Sequence, residues 1–157
     1  MTIYKLLKKD HDKHRELLEQ IVETSGDTRI RSELWQRFYY DVKGHAAAEE
    51  ESFYAELIAT SEGQSEARHS VAEHKELDDL MEELNETDLS SPEWLKKAKT
   101  LQHEYLHHIE EEEEDIFPVA KKVFSESKAK EIGQRFSERK TPEVRQADQK
   151  EEEKLEV

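Results

Sequence analysis

The sequence contains no cysteine, and this absence narrows the chemistry open to the protein. Without thiols the chain forms no disulfide bond, holds no thiolate-ligated zinc or iron–sulfur cluster, and offers no cysteine nucleophile. Any metal ion must therefore be bound through nitrogen and oxygen atoms.

Basic residues are also scarce. The 24 lysines and arginines are outnumbered by 39 aspartates and glutamates, which gives a formal net charge of −15. This balance argues against binding to nucleic acid or to an anionic membrane surface. No apolar run reaches membrane-spanning length, and the N-terminal segment lacks the apolar core of a signal peptide. We therefore expect a cytoplasmic protein with neither partner.

Helix-breaking residues are few, with four glycines and three prolines in the chain. Turn-like stretches fall at 24–28, 60–65 and 85–92, and Ser91-Pro92 is a good helix start. Between the turns, apolar residues recur at three- and four-residue spacing in four segments: about 3–23, 29–59, 66–85 and 92–124. Four helices joined by short loops predict an all-α, up-down-up-down four-helix bundle.

A short fifth helix is expected at about 126–140, where Ile132 and Phe136 lie four residues apart. The segment 141–157 is mostly charged and has little to bury, so we expect a flexible or loosely helical tail. The predicted domain thus comprises residues 1–140.

Ligand-type side chains interrupt the apolar stripe near the middle of all four predicted helices. At about 100° per residue, the third stripe includes Val71, and the fourth includes Ile116, Val119 and Val123. The polar residues on the inward faces are His11, His14, His45, Glu49, His74, His108 and Glu112. Three other histidines face outward: His69, His103 and His107.

These inward residues predict a metal centre. Mid-helix positions of an antiparallel bundle lie at one level, and burying so many titratable groups without partners costs more than a small domain can spare. A cation cluster supplies the missing positive charge. A single inward histidine is more often a hydrogen-bonded core residue, but the same interruption in four helices favours metal. Mixed imidazole and carboxylate ligands suit iron, manganese or zinc.

A ferritin-like di-iron site is the structural alternative. It requires a Glu-x-x-His string on each of two helices. Two such strings exist, Glu66/His69 and Glu104/His107, but both histidines face away from the predicted core. The arrangement of the inward residues therefore disfavours this alternative.

Several segments resemble the hemerythrin-like proteins, specifically the HHE cation-binding domain. They are KKDHDKH, GHAAAEEESFY, HHIEEEEEDIFPVAKK and EIGQRFSERK, and the resemblance extends to about residue 140. It implies a four-helix bundle with a non-haem di-iron centre bridged by carboxylates and an oxygen species. The ligands that it implies are His11, His45, Glu49, His74, His108 and Glu112.

The chain departs from the oxygen-carrying hemerythrins in two places. Their third helix offers two histidines four residues apart, whereas Ser70 and Asp78 flank His74 here. Their fourth helix ends in an aspartate five residues after the histidine, whereas Glu112 follows His108 by four. One metal is thus short of a histidine, and Asp78, His14 or solvent could complete it.

The expected function is that of a protein with two iron ions that binds, senses or scavenges oxygen or nitric oxide. The alternatives are iron storage, delivery or repair, and an enzyme directed at peroxide or nitric oxide. No nucleophile–base pair or phosphate loop supports ordinary organic catalysis. Four tyrosines are candidates to line the pocket: Tyr39, Tyr40, Tyr54 and Tyr105. Only Tyr105 falls within a core stripe, either as a hydrogen-bond donor to a bound oxygen species or as a plain core residue.

Overall fold

The structure is a computed structural model that describes residues 1–26 and 28–156, with side chains described as far as Thr141. Helices are the only regular elements in these residues: α1 (Ile3–Val22), α2 (Arg29–Glu49), π1 (Glu50–Tyr54), α3 (Ala55–Leu57), α4 (Gln64–Asn85), α5 (Pro92–Glu111), π2 (Glu112–Ile116), α6 (Phe117–Val123) and α7 (Glu126–Glu156). The π1 and π2 elements are single π-helical turns. The continuous run α2–π1–α3 is the second bundle helix, and α5–π2–α6 is the fourth.

Contacts between the helices fix their directions. Asp10 of α1 contacts His45 of α2, and His14 contacts Asp41, so α1 and α2 are antiparallel. Helices α2 and α4 are antiparallel too, since Trp35 contacts Asn85 and Lys43 contacts Asp78. The contacts His69–Glu111 and Glu73–His108 show the same for α4 and α5. The predicted up-down-up-down bundle is confirmed. None of the described helices is both long and apolar enough to cross a lipid bilayer.

Side-chain caps begin three of the bundle helices. Thr2 accepts a hydrogen bond from the backbone of Lys5 at the start of α1, and Thr28 accepts one from Arg31 at the start of α2. Ser91 caps α5, with Pro92 in its first turn as the sequence predicts. These caps satisfy backbone donors that a helix start leaves without partners.

The two π-helical turns rotate the residues that follow them. Each turn inserts extra backbone into an α-helix, so counting at 100° per residue fails beyond it. Tyr54, which the sequence places outside the core stripe, is buried. Beyond π2 in the fourth bundle helix the buried positions are Phe117 and Ala120, while Val119 and Val123 are only half-buried. The predicted inner face is therefore wrong at Tyr54, Val119 and Val123, whereas Ile116 is buried as predicted.

Val71 is a further correction, because it is exposed rather than core. It lies on α4 at the outer lip of a cavity between α2 and α4. Its neighbour Ser70 takes the buried position instead.

The core consists of two apolar clusters with a polar layer between them. One cluster lies at the loop-rich end with Trp35 and Trp94. The other contains Phe53 and Phe117. Between them lie the buried polar residues His11, His14, Asp41, His45, Glu49, His108 and Glu112. The fold thus concentrates most of its buried ionisable groups at one level, while the buried Arg31 lies against Trp94 in the first cluster.

The fifth helix, α7, is longer than predicted, since it runs from Glu126 to Glu156 rather than to about residue 140. Its residues Ala129, Ile132 and Phe136 join the second apolar cluster. Gly133 lies against the start of α1. A domain boundary at residue 140 stays a prediction, and the side chains of 142–157 lie outside the part that the structure describes.

The close approach at Gly133 leads to a stability prediction. An alanine Cβ there would lie 2.6 Å from the carbonyl oxygen of Met1 and 3.0 Å from the backbone nitrogen of Ile3. We expect Gly133→Ala to lower the free energy of unfolding by about 1–3 kcal/mol, although alanine favours helix by about 1 kcal/mol. Urea denaturation measures the difference.

The matched control is Ser137→Ala, an exposed position on the same helix. It should change the free energy of unfolding by less than about 0.5 kcal/mol. If Gly133→Ala were as stable as the unchanged protein, the contact between α7 and the start of α1 would not be rigid.

Candidate metal centre

The six residues predicted as ligands meet in the polar layer. Each bundle helix contributes at least one of them. The five most deeply buried are His11, His45, Glu49, His108 and Glu112, and the side chain of His74 is 9% exposed. The ligand-type side chains on the predicted inward faces therefore converge in space.

Two fully buried carboxylates lie at the centre of the arrangement. The Oε1 atom of Glu49 lies 3.0 Å from Nε2 of His74, and its Oε2 atom lies 3.6 Å from Nε2 of His45. Glu112 repeats the pattern: Oε1 is 3.1 Å from Nε2 of His11, and Oε2 is 4.0 Å from Nε2 of His108. Each carboxylate thus spans two imidazoles from different helices.

The donor atoms form two overlapping groups. Within each group all the donor atoms lie within 4.8 Å of one another. The larger group contains Glu49, His74, His108 and Glu112, and the smaller contains His11, His45 and Glu49. A carboxylate shared by two ligand groups is the arrangement expected of two neighbouring cations rather than one.

The hydrogen bonding of these atoms fits a cation. Among the described residues, both oxygens of Glu49, Oε1 of Glu112 and Nε2 of His11 are buried without a hydrogen-bond partner. Buried polar atoms are almost always paired, because an unpaired one loses its hydration without compensation. All four atoms point into the ligand groups and would be satisfied as metal donors. The residues present therefore fit a metal centre.

A second set of carboxylates contacts the outer ring nitrogens of the histidines. Nδ1 of His11 donates to Glu113 at 2.6 Å, and Nδ1 of His45 donates to Asp10 at 2.8 Å. A carboxylate only accepts, so the proton of each neutral ring lies on Nδ1 and the lone pair of Nε2 faces inward. This arrangement orients imidazole ligands and raises their basicity.

The other two histidines follow the same pattern. Nδ1 of His108 donates to Glu73 at 2.9 Å. Nδ1 of His74 lies 3.4 Å from Glu50 in an ion-pair contact. All four candidate imidazoles thus present Nε2 to the centre.

These outer carboxylates were not predicted from the sequence, because helical periodicity was used only to separate an inner from an outer face. A signal was present, since each lies next in sequence to an inward residue. The pairs are Asp10/His11, Glu49/Glu50, Glu73/His74 and Glu112/Glu113. A residue about 100° from the inner face points sideways, towards the neighbouring helix.

The paired charges shift the pKa values of the histidines. Burial by itself lowers the pKa of His45, but Asp10 and Glu49 raise it to about 9. Burial likewise opposes protonation of His74, whose contacts with Glu49 and Glu50 raise its pKa to about 10. Contacts with His45 and His74 in turn hold the pKa of Glu49 well below its usual range despite its burial. In the metal-free protein, imidazolium groups therefore balance the buried carboxylates.

His14 lies beside the centre but already has partners on both ring nitrogens. Nε2 donates to Asp41 at 2.6 Å, and Nδ1 accepts from the hydroxyl of Tyr105 at 2.6 Å. Burial lowers the pKa of His14 to about 4, which keeps the ring neutral. The hydroxyl proton of Tyr105 is thus donated to His14. From the sequence, a bound oxygen species was one possible acceptor of that proton.

Asp78 is also outside both ligand groups. It forms an ion pair with Lys43, and its side chain is partly exposed. Ser70 stands four residues before His74, where the oxygen-carrying hemerythrins have a second histidine on their third helix. The hydroxyl of Ser70 donates to Tyr54 at 2.8 Å, and the hydroxyl of Tyr54 donates to Glu112. Tyr54 is therefore hydrogen-bonded directly to a candidate ligand.

A cavity of about 350 Å³ connects this layer to the surface between α2 and α4. Its buried lining includes the candidate ligands His45, His74 and His108. The rest of the lining combines apolar side chains such as Leu77 and Met81 with the charged side chains of Lys43, Glu50, Lys75 and Asp78. A small uncharged molecule could reach the centre by this path.

The predicted outward histidines, His69, His103 and His107, are all exposed. Both Glu-x-x-His strings therefore end outside the buried centre. This placement argues against a ferritin-like arrangement of ligands.

The chain is similar in sequence and in fold to known helical metal-binding domains. Residues 2–120 match the family described as Hemerythrin HHE cation binding domain. The crystal structure of a Hemerythrin HHE cation binding domain-containing protein from Mycobacterium kansasii is similar, with a TM-score of 0.85 and 22% identity, over 96% of this chain and 91% of that one. At this identity the likeness shows the shared fold alone.

A curated relative is named DNA nickase and comes from a Nostoc species. It is 23% identical over 141 residues, which cover 90% of this chain but 40% of the relative. The chain thus spans less than half the length of that protein. Since the family match extends over most of the sequence, the chain belongs to the hemerythrin HHE cation-binding domain family.

Proposed function

We propose that this protein binds two iron ions and uses them to bind, sense or scavenge a small diatomic molecule, either oxygen or nitric oxide. The observation that carries the proposal is the pair of buried carboxylates, Glu49 and Glu112, each placed between two imidazoles of different helices. The proposed ligands are His11, His45, Glu49, His74, His108 and Glu112.

The donor set supports iron over the other candidates. Calcium and magnesium prefer all-oxygen sites, whereas imidazole with carboxylate suits iron, manganese and zinc. Iron in this centre would supply reversible one-electron chemistry and open positions for a small ligand. The six proposed ligands offer eight donor atoms, four imidazole nitrogens and four carboxylate oxygens. Two six-coordinate ions would therefore keep positions open for that ligand.

The surrounding residues have separable roles. The outer carboxylates Asp10, Glu73 and Glu113 hold the imidazoles in one tautomer. Tyr54 keeps one Glu112 oxygen in place through its hydroxyl proton. Apolar side chains such as Leu77 and Met81 form part of the cavity wall and favour passage of a neutral diatomic.

Iron storage or delivery and a redox enzyme directed at peroxide or nitric oxide are the alternatives. The DNA nicking in the Nostoc relative's name does not fit this chain, because the net charge of −15 opposes binding to a phosphate backbone.

The functional test is anaerobic reduction of the iron-loaded protein, followed by separate exposure to oxygen, nitric oxide and peroxide. We expect a stoichiometric change in the optical spectrum with oxygen or nitric oxide. Ala47→Leu, which narrows the cavity, should slow this change without altering metal content. The control is Ala72→Leu, an exposed position outside the cavity lining. Continuous peroxide consumption with no diatomic response would favour the enzyme instead.

His11 and His14 provide a matched test of the ligand assignment. Nε2 of His11 faces Glu112 without a hydrogen bond, whereas both nitrogens of His14 have partners. We expect two iron ions per chain in the unchanged protein and in His14→Ala, and one or none in His11→Ala. Elemental analysis after desalting measures this. Greater iron loss in His14→Ala would reverse the assignment.

The raised histidine pKa values predict how pH affects the metal-free protein. An unfolded histidine has a pKa of about 6.5, whereas His45 and His74 have folded values of about 9 and about 10. Their protonation stabilises the fold fully below pH 6.5, and this contribution is lost as pH rises through 9 to 10.

Metal ions on Nε2 of His45 and His74 would exclude these protons, so the iron-loaded protein should lack this loss. The melting temperature of the metal-free form should therefore fall further than that of the loaded form between pH 7 and 10. Circular dichroism melts of both forms measure the gap. Parallel curves would show that neither imidazole exchanges a proton for metal.

A further inference from the structure

A third group of ligand-type side chains lies on the surface between α4 and α5. Nε2 of His69 is 3.1 Å from Oε1 of Glu111 and 3.5 Å from Oε2 of Glu73. One donor atom from each of the three residues lies within 4.8 Å of the others. His107 lies on the far side of Glu111, with Nε2 at 3.8 Å from Oε2.

The chemistry of this group differs from that of an acidic patch. It combines imidazole nitrogen with carboxylate oxygen from two helices, which is the donor set of a divalent transition-metal ion. The side chains of His69 and His107 are 55% and 66% exposed, so an ion could bind them directly from solvent. Glu73 and Glu111 are more buried and better fixed.

An acidic groove adjoins the group and provides an independent observation. This groove, about 390 Å³ in volume, contains His108 in its lining together with four carboxylates: Glu73, Glu76, Asp79 and Glu104. Its lining, within the described residues, includes no lysine or arginine. The cavity between α2 and α4, in contrast, has Lys43 and Lys75 in its lining. A groove of one charge sign concentrates ions of the opposite sign.

Glu73 joins the surface group to the buried centre. Its Oε2 atom faces His69, while its Oε1 atom accepts the hydrogen bond from Nδ1 of His108. His108 in turn presents Nε2 to Glu112. One carboxylate and one imidazole thus separate the exposed donors from the centre.

We propose that His69, Glu73 and Glu111 form an outer site at which a divalent transition-metal ion binds before it passes to the buried centre. Cations and the neutral diatomic would then enter by different faces of α4. The outer site itself stands on its own geometry, whereas its role in loading rests on the proposed function of the buried centre.

The test uses the full metal-free chain with Co²⁺ alone as the probe. Equilibrium dialysis should show three ions per chain, one of which is lost on desalting. The His69→Ala/Glu111→Gln double variant should retain the two buried ions and lack the third. Its buried centre should fill about tenfold more slowly in stopped-flow absorption, and the difference should shrink at high salt.

The control is the double variant His103→Ala/Glu110→Gln, which makes the same chemical changes at exposed positions of α5. It should bind three ions and fill at the rate of the unchanged protein. The outer site would be overturned if the unchanged protein bound only two ions per chain at saturating Co²⁺. It would also be overturned if the buried centre of His69→Ala/Glu111→Gln filled at the rate of the unchanged protein. Absence of the two retained ions would instead overturn the proposed metal centre.

Discussion

The structure depends on the burial of two carboxylates, Glu49 and Glu112, inside a helical bundle. Transfer of an ionised group from water to a protein interior is unfavourable unless opposite charge and hydrogen bonds compensate. Neither side chain is exposed at all, and three of their four oxygens have no hydrogen-bond partner among the described residues. Positive charge at this level is therefore a requirement of the fold, supplied by imidazolium groups without metal and by cations with it.

This requirement explains the concentric arrangement of charge. Around the two central carboxylates lie four imidazoles, and around these lie Asp10, Glu50, Glu73 and Glu113. Basic residues follow outside, with Arg15 contacting Glu113 at 3.0 Å. Alternation of sign from the centre outwards lets a chain of strongly negative net charge hold an ionisable core. The two apolar clusters on either side supply the burial that isolates this layer from solvent.

The sequence predicts the helices, and it predicts which ligand-type side chains converge at the centre, for a common physical reason. Few breakers and regular apolar spacing define the four bundle helices, and the ligands precede or begin the π-helical turns, where counting along an ideal helix still holds. Beyond Glu49 and Glu112 the same counting becomes unreliable, which is why Tyr54 was placed outside the core and Val119 and Val123 inside it. The partners of His14 could not be predicted either, because Asp41 and Tyr105 come from other helices and depend on packing.

Lys140 of α7 contacts two carboxylates that border the polar layer. Its ammonium group lies 2.8 Å from Asp10 and 3.2 Å from Asp41, the carboxylates that hold His45 and His14. Lys140 belongs to α7, twenty residues beyond the last position that the family match covers. The electron-donating strength of His45 is therefore adjusted from outside the family's common region. A relative that shares every candidate ligand but carries a different fifth helix would therefore offer a metal ion an imidazole of different basicity at this position.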